Sequence, residues 1–268
     1  MTFRRRGEAR RDKSCAVRTG GTRGLTERPL RFEMPERAGG GVPPVVLSMG
    51  GSVLVTGDED ERFLPDLAAL IRKVSSEFPL VITTGGGRVA RDYIRLGRAL
   101  GLTETELDEL GIDVSRLNAR LLAAVIGPPC PSHPPTSLAE AVREAHRSRI
   151  VVLGGTEPGH TTDGVAGLLA ERLRAQRLVN ATRVPGLFER DPRKDPSAKR
   201  IDRLDYAGFR KMIEASVAGT AGQQFVFDRL GLESLARGKI PLRIVQGRDL
   251  SNLERALRGE DFAGTEIR

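Results

Sequence analysis

The 268-residue chain carries 43 basic and 35 acidic side chains, 39% apolar residues, two Cys, two Tyr and no Trp. That length can bury the core of a single α/β domain, and no apolar run nears the roughly 18 residues that a membrane-spanning helix needs. Scarce aromatics argue against a stacking platform for single-stranded nucleic acid, and Cys15 and Cys130 fit neither a disulfide framework nor a metal spacing, which points to a reducing cytoplasm.

The net charge of +8 is unevenly spread, because residues 1–41 hold ten Arg and one Lys against five acidic residues. Residues 1–42 therefore read as an Arg/Gly-rich disordered extension, ending on Gly39-Gly40-Gly41. Three readings stay open for it: a solvated tail, an arm making weak nucleic-acid contacts, or a leader absent from a protein that starts at Met34. A basic run alone specifies little. No long apolar segment follows the Arg cluster, so it is not a secretory signal.

From residue 43 the pattern is strand, glycine corner, helix, repeated. Val45-Val46-Leu47 leads into Gly50-Gly51-Ser52, and Phe63, Leu67, Leu70, Ile71 and Val74 follow at helical spacing. Leu80-Val81-Ile82 leads into Gly85-Gly86-Gly87 and a helix carrying Val89, Tyr93, Ile94 and Leu96. A helical stretch from about Glu104 to Ile126 is expected to break near Gly111. The prolines between Gly127 and Pro135 make a loop, since they lack the N–H that helix or strand would use. Leu138 to His146 is helical again.

Ile150 to Leu153 then forms a buried strand that stops at Gly154-Gly155-Thr156-Glu157-Pro158-Gly159-His160-Thr161-Thr162-Asp163. Thr161, Thr162 and Asp163 are helix-capping types set before Val165, Leu168 and Leu169, so the corner aims free N–H groups and a helix dipole at its contents. Ten residues exceed an ordinary strand-to-helix connection, which favours an anion site over a plain turn. Beyond it come a strand at Leu178 to Ala181, a turn-rich excursion from Thr182 to Pro196, and helices near 205–215 and 228–236. Leu242 to Val245, a helix from about Leu250 to Leu257 and a last strand at Thr265 to Ile267 complete the chain. The alternation predicts a three-layer α/β/α sandwich around a largely parallel sheet, with ligands beyond the carboxyl ends of its strands.

Neither the P-loop nor the Gly-x-Gly-x-x-Gly pattern occurs at these corners. Several separate anion corners on one sheet edge suggest two phosphate-bearing ligands, and phosphoryl transfer between them. The three histidines are scattered, so no metal cluster is expected.

Four stretches together carry a resemblance: Val-Leu-Ser-Met-Gly-Gly-Ser-Val-Leu at 46–54, Gly-Gly-Gly-Arg-Val-Ala-Arg-Asp-Tyr at 85–93, Gly-Gly-Thr-Glu-Pro-Gly-His-Thr-Thr-Asp at 154–163 and Asp-Pro-Arg-Lys-Asp-Pro at 191–196. In order and spacing they resemble archaeal-type uridylate kinases of the amino acid kinase family. The resemblance implies the amino acid kinase fold over 43–268, with a UMP-binding half at about 43–155 and an ATP-binding half at about 156–268. It also implies transfer of the γ-phosphoryl of ATP, with Mg2+, onto UMP in pyrimidine nucleotide synthesis, and a homohexamer. Residue by residue, it implies that Gly51, Ser52, Gly87, Arg91, Thr182, Phe188 and Asp191 contact ATP. Gly86, Asp108, Thr156, Glu157, Pro158, Gly159, His160, Thr161 and Thr162 would contact UMP, and Arg91 and Asp163 would serve catalysis, Asp163 either by capping the helix or by orienting the site's cations.

The donor segment departs from the family pattern Thr-Asn-Val-Asp-Gly-Val-Tyr, because here Arg183 replaces Asn, Pro185 replaces Asp and Phe188 replaces Tyr. Ser48 stands where many amino acid kinases carry a phosphate-binding Lys. These departures keep two alternatives open: a sister small-molecule kinase on the same fold, and a non-catalytic nucleotide- or oxyanion-binding protein derived from it.

Overall fold

The computed structural model describes residues 41–57, 59–190, 192, 194–217 (216 and 217 as backbone only) and 227–268, all within one compact unit, Gly39–Arg268. The N-terminal extension through residue 40 and Asp191 lie outside the described residues.

The first half contains β1 (Val45–Met49), α1 (Gly51–Leu54), α2 (Asp60–Ser75), β2 (Leu80–Thr84), α3 (Gly87–Ala99), α4 (Glu104–Ile126), α5 (Leu138–Ala145) and β3 (Ile150–Leu153). The second contains α6 (Thr162–Leu173), β4 (Arg177–Thr182), β5 (Leu187–Phe188), β6 (Arg200–Ile201), β7 (Arg203–Leu204), α7 (Tyr206–Val217), α8 (Arg229–Gly238), β8 (Leu242–Gln246), α9 (Leu250–Arg258) and β9 (Gly264–Ile267).

Seven strands form one sheet in the order β3-β2-β1-β4-β8-β9-β7. The pairs from β3 to β8 are parallel, with Val45 opposite both Leu80 and Arg177, whereas β9 runs antiparallel to β8. Alternation of side chains along β1 divides the core into two layers. Val45, Leu47 and Met49 pack with α2, α4 and α9, while Val46 faces the opposite layer with α5, α6 and α8. Every residue of β1, β2 and β3 is buried, as expected of parallel strands covered on both faces. Chain order reverses between β1 and β4, and the crevice for a ligand opens at such a reversal.

The structure corrects the break expected at Gly111, since α4 runs unbroken for 23 residues. A mid-helix glycine costs only about 1 kcal/mol. A full capping box at Thr103 and Glu106 and packing against α2, α3 and β3 outweigh that. The excursion after Thr182 is not all turn either, because β5 pairs with β6 as a small antiparallel ladder. Its residues 187 and 201 are apolar and pack on the core, a tertiary reward that two-residue strands do not advertise locally. On α3, Val89, Tyr93 and Leu96 form an exposed stripe together with Leu100.

Candidate functional site

The glycine corners after β1 and β2 touch backbone to backbone. A Cβ on Gly51 would lie 2.3 Å from both the Gly85 oxygen and the Gly87 nitrogen, and one on Gly87 would lie 2.6 Å from the Gly51 carbonyl. Gly87 also has φ +67°, so only glycine lets the two corners close in this way. The third corner is pressed onto α4, where a Cβ on Gly154 would meet the Arg116 nitrogen at 2.5 Å. The three corners thereby converge on one sheet edge.

Side chains of α4 hold the loops after β2 and β3 in place. Ser115 Oγ accepts from the Gly155 nitrogen at 2.7 Å, and Asn118 Nδ2 donates to the Gly85 oxygen at 2.8 Å. Arg116 donates to the carbonyl oxygens of Gly155 and Thr156, each at 3.1 Å. Asp108 Oδ2 accepts from the Gly159 nitrogen at 2.8 Å, which fixes the tip of the loop over a cavity of about 360 Å³. Asp108, Glu157, Gly159, His160, Thr161 and Thr162 all line that cavity.

A second, central cavity of about 810 Å³ lies beside it, lined by Gly51, Ser52, Gly87, Arg91, Asp163 and Thr182 among others. The two cavities share one wall, made of Gly86, Ala90, Thr161 and Thr162. Thr161 is the N-cap of α6, its Oγ1 accepting from the Gly164 nitrogen at 3.1 Å, and it also donates to Asp228 Oδ2. Asp163 is thus not the cap. Its Oδ1 accepts from Ser48 Oγ at 2.7 Å.

The Asp163 carboxyl is enclosed although the residue keeps some solvent contact. Burial pushes it up, the Ser48 hydrogen bond opposes, the Asp228 charge adds and Asn180 opposes again, for a value of about 7. Asn180 is 2% exposed and lines the central cavity, and its amide nitrogen finds no partner of good hydrogen-bond geometry. A buried donor of this kind is expensive unless a ligand meets it. Arg91 lines the same cavity and makes no hydrogen bond or ion pair with the described residues.

The amino acid kinase family profile matches residues 43–246. Uridylate kinase from Methanothermobacter thermautotrophicus is 39% identical over 81% of this chain and 96% of its own length. That from Natronomonas pharaonis is 40% identical over 83% and 97%. The crystal structure of uridylate kinase from Archaeoglobus fulgidus superposes with a TM-score of 0.73 at 39% identity, covering 84% of this chain and 99% of that one. The chain belongs to the amino acid kinase family, on its archaeal-type uridylate kinase branch. UMP kinase from Bacillus anthracis, at 21% identity and a TM-score of 0.68, shares the fold.

In this family member most residues anticipated from the sequence fall on the two cavities. Among the described residues three line neither: Thr156, whose buried hydroxyl has no partner among those residues, Pro158, which is exposed, and Phe188, which sits on β5. His160 Nδ1 is 3.3 Å from Glu157 Oε1 but is not aligned for a hydrogen bond. Sequence reading missed Asn180, Asp228, Ser115 and Asn118. Asn180 and Ser48 were detectable in principle as polar residues inside apolar strand runs, whereas Asp228 reveals itself only through the packing of α8 on α6.

Proposed function

We propose that the chain is a UMP kinase that transfers the γ-phosphoryl of ATP to UMP, giving UDP and ADP in pyrimidine nucleotide synthesis. The observation that carries this reading is the shared wall: two cavities meet at Gly86, Ala90, Thr161 and Thr162, where an acceptor phosphate from one side and a donor phosphate from the other would be in reach. UMP takes the α4-side cavity, with the Asp108 carboxylate facing the ribose and the start of α6 facing the phosphate. ATP takes the central cavity, with its phosphates over Gly51, Ser52, Gly87 and Arg91 and its nucleoside toward Thr182. Phe188 and Asp191 remain part of this assignment as contacts for the base and ribose.

The acceptor oxygen is already largely ionised at neutral pH, because a phosphate monoester loses its second proton near pH 6, so no general base is needed. A bond forms from that oxygen to the γ-phosphorus as the bond to the β–γ bridging oxygen breaks, and ADP leaves. Catalysis is then positioning and charge neutralisation. The chain supplies N–H groups of two glycine corners and of α6, the Asn180 amide, and the Arg91 guanidinium. Magnesium arriving on the donor would offset phosphate charge, and the carboxylates of Asp163 and Asp228 that line the central cavity are the hard oxygen groups that suit its hydrated shell.

The same reading puts the chain in a reducing cytoplasm, in keeping with the free thiol of Cys130. Among the described residues no helix is long and apolar enough to cross a membrane. It also makes the chain a homohexamer, which the exposed stripe of Val89, Tyr93, Leu96 and Leu100 supports, since monomers rarely leave such faces open. Weak nucleic-acid contact through the basic extension stays a secondary reading.

The test is diphosphate production by the purified chain with ATP and magnesium across UMP, CMP, AMP, GMP and dUMP. Turnover confined to UMP is expected. Binding of UMP and ATP without turnover would replace this reading by that of a non-catalytic binding protein.

A further inference from the structure

A third cavity, of about 450 Å³, opens beside the central one and is lined by Arg88, Arg91, Arg183 and Arg248 together with Thr56 and Glu59. The four arginines are not equivalent. Arg248 is spoken for: it donates to the Val53 oxygen at 3.1 Å and to Thr56 Oγ1 at 2.9 Å, pairs with Asp60, and lies 4.4 Å from the Phe63 ring centroid. Arg88, Arg91 and Arg183 make no hydrogen bond or ion pair with any described residue, and among the described residues Glu59 is the one carboxylate on the wall. Three arginines around one small cavity, none of them paired with a described residue, repel each other, and a multiply charged anion relieves that repulsion. Guanidinium forks match phosphate and carboxylate oxygens two at a time, and a di- or triphosphate offers several such oxygen pairs and several charges on one ligand, enough for more than one arginine.

The cavity also touches the proposed transfer site, because Ser52, Arg91 and Arg183 line both. Arg88 lines only the third. We propose that this third cavity is a second anion site that takes a di- or triphosphate group, and that its occupant competes with the donor for Arg91 and Arg183. Its existence as a binding site is independent of the kinase reading, and its action as a brake on transfer rests on that reading.

The experiment is calorimetric titration of the full chain with inorganic triphosphate, and separately with a β,γ-methylene analogue of ATP, for the native protein and for Arg88→Gln. The variant loses one charge-assisted contact at the third cavity and none at the central one. Triphosphate affinity is expected to fall about ten-fold in Arg88→Gln while affinity for the ATP analogue stays unchanged. In the native chain, prior saturation with triphosphate is expected to weaken analogue binding.

No binding of triphosphate at millimolar concentration would overturn the proposal, and so would binding that Arg88→Gln leaves unaltered. Equal loss of triphosphate and analogue affinity would overturn it too, by making the cavity part of the donor site. CTP distinguishes the sources of the anion. An affinity equal to that of triphosphate, with the same loss in Arg88→Gln, supports recognition of the phosphate tail alone, and a tighter one with that loss supports a nucleotide as the occupant. All these readouts are binding measurements, so a chain without kinase turnover would still decide the matter.

Discussion

The wall around Asp108 is tied together by side chains of one helix, whereas the wall from Thr182 onward is held by one turn of its own and one bond from β9. On the first, Ser115, Arg116 and Asn118 of α4 bond to the backbone of Gly155, Thr156 and Gly85, and Asp108 clamps Gly159. On the second, the Thr182 hydroxyl closes its own turn by donating to the Val184 oxygen at 2.9 Å, and Thr265 Oγ1 accepts from the Leu187 nitrogen at 2.8 Å. Arg183, between them, is exposed and unpaired among the described residues. The contrast teaches where selectivity can reside. A wall built from fixed carboxylates and hydroxyls discriminates by geometry, and one presenting exposed cations attracts by charge.

The largest expected effect tests the charge side of that contrast. Arg91→Ala removes the guanidinium of a residue that lines the central cavity and carries no structural bond to a described residue, so the fold should survive intact. If its role is to neutralise the transferring phosphoryl, kcat should fall about 100- to 1000-fold, the scale for losing one preorganised donor in a transition state. Steady-state rates at saturating ATP and UMP measure this. An unchanged kcat with a raised KM for ATP would instead make Arg91 a ground-state contact.

Much of this arrangement could be read from residues alone, and its limits have physical causes. Strand and glycine corner repeat three times before α6, the third time with the capping residue Thr161, and each corner was legible because Gly has few other reasons to follow a buried strand. The role of Asp163 was ambiguous because Asp and Thr both cap helices; only the 2.7 Å bond from Ser48, 115 residues away in sequence, takes it out of the cap. Asp228 was invisible for the same reason, since its partner Thr161 is 67 residues distant. Gly111 misled because propensity is local, while the packing that keeps α4 straight is not.

The next effect in size tests the geometric wall. Asp108→Ala deletes the acceptor of the Gly159 nitrogen and the carboxylate facing the proposed ribose position. KM for UMP should rise about 10- to 100-fold, as when a hydrogen-bonded charged group is removed, with kcat changed little. Initial-rate kinetics over UMP concentration check it. Equal losses with ATP as the varied substrate would show that the loop tip serves both ligands and would erase the contrast between the walls.

The smallest effect belongs to Asp163, at the junction of the two walls, and it reads as stability rather than rate. Its folded carboxyl titrates near 7 against an ordinary 3.8, so the folded chain holds that proton more tightly than the unfolded chain does. Stability is therefore fully retained below the ordinary value, declines as pH rises from there to about 7, and is level beyond. Asp163→Asn cannot ionise and still accepts from Ser48 through Oδ1, so it escapes the decline. Its advantage over the native chain should widen by roughly 1–2 kcal/mol between pH 5 and 8, a figure reduced for the residue's partial contact with water. Urea midpoints at pH 5, 6, 7 and 8 measure the gap. A gap independent of pH would mean that Asp163 is already ionised at pH 5, with Ser48 and Asn180 outweighing burial and the Asp228 charge. The junction would then belong with the wall that works by fixed hydrogen bonds rather than with the one that works by charge.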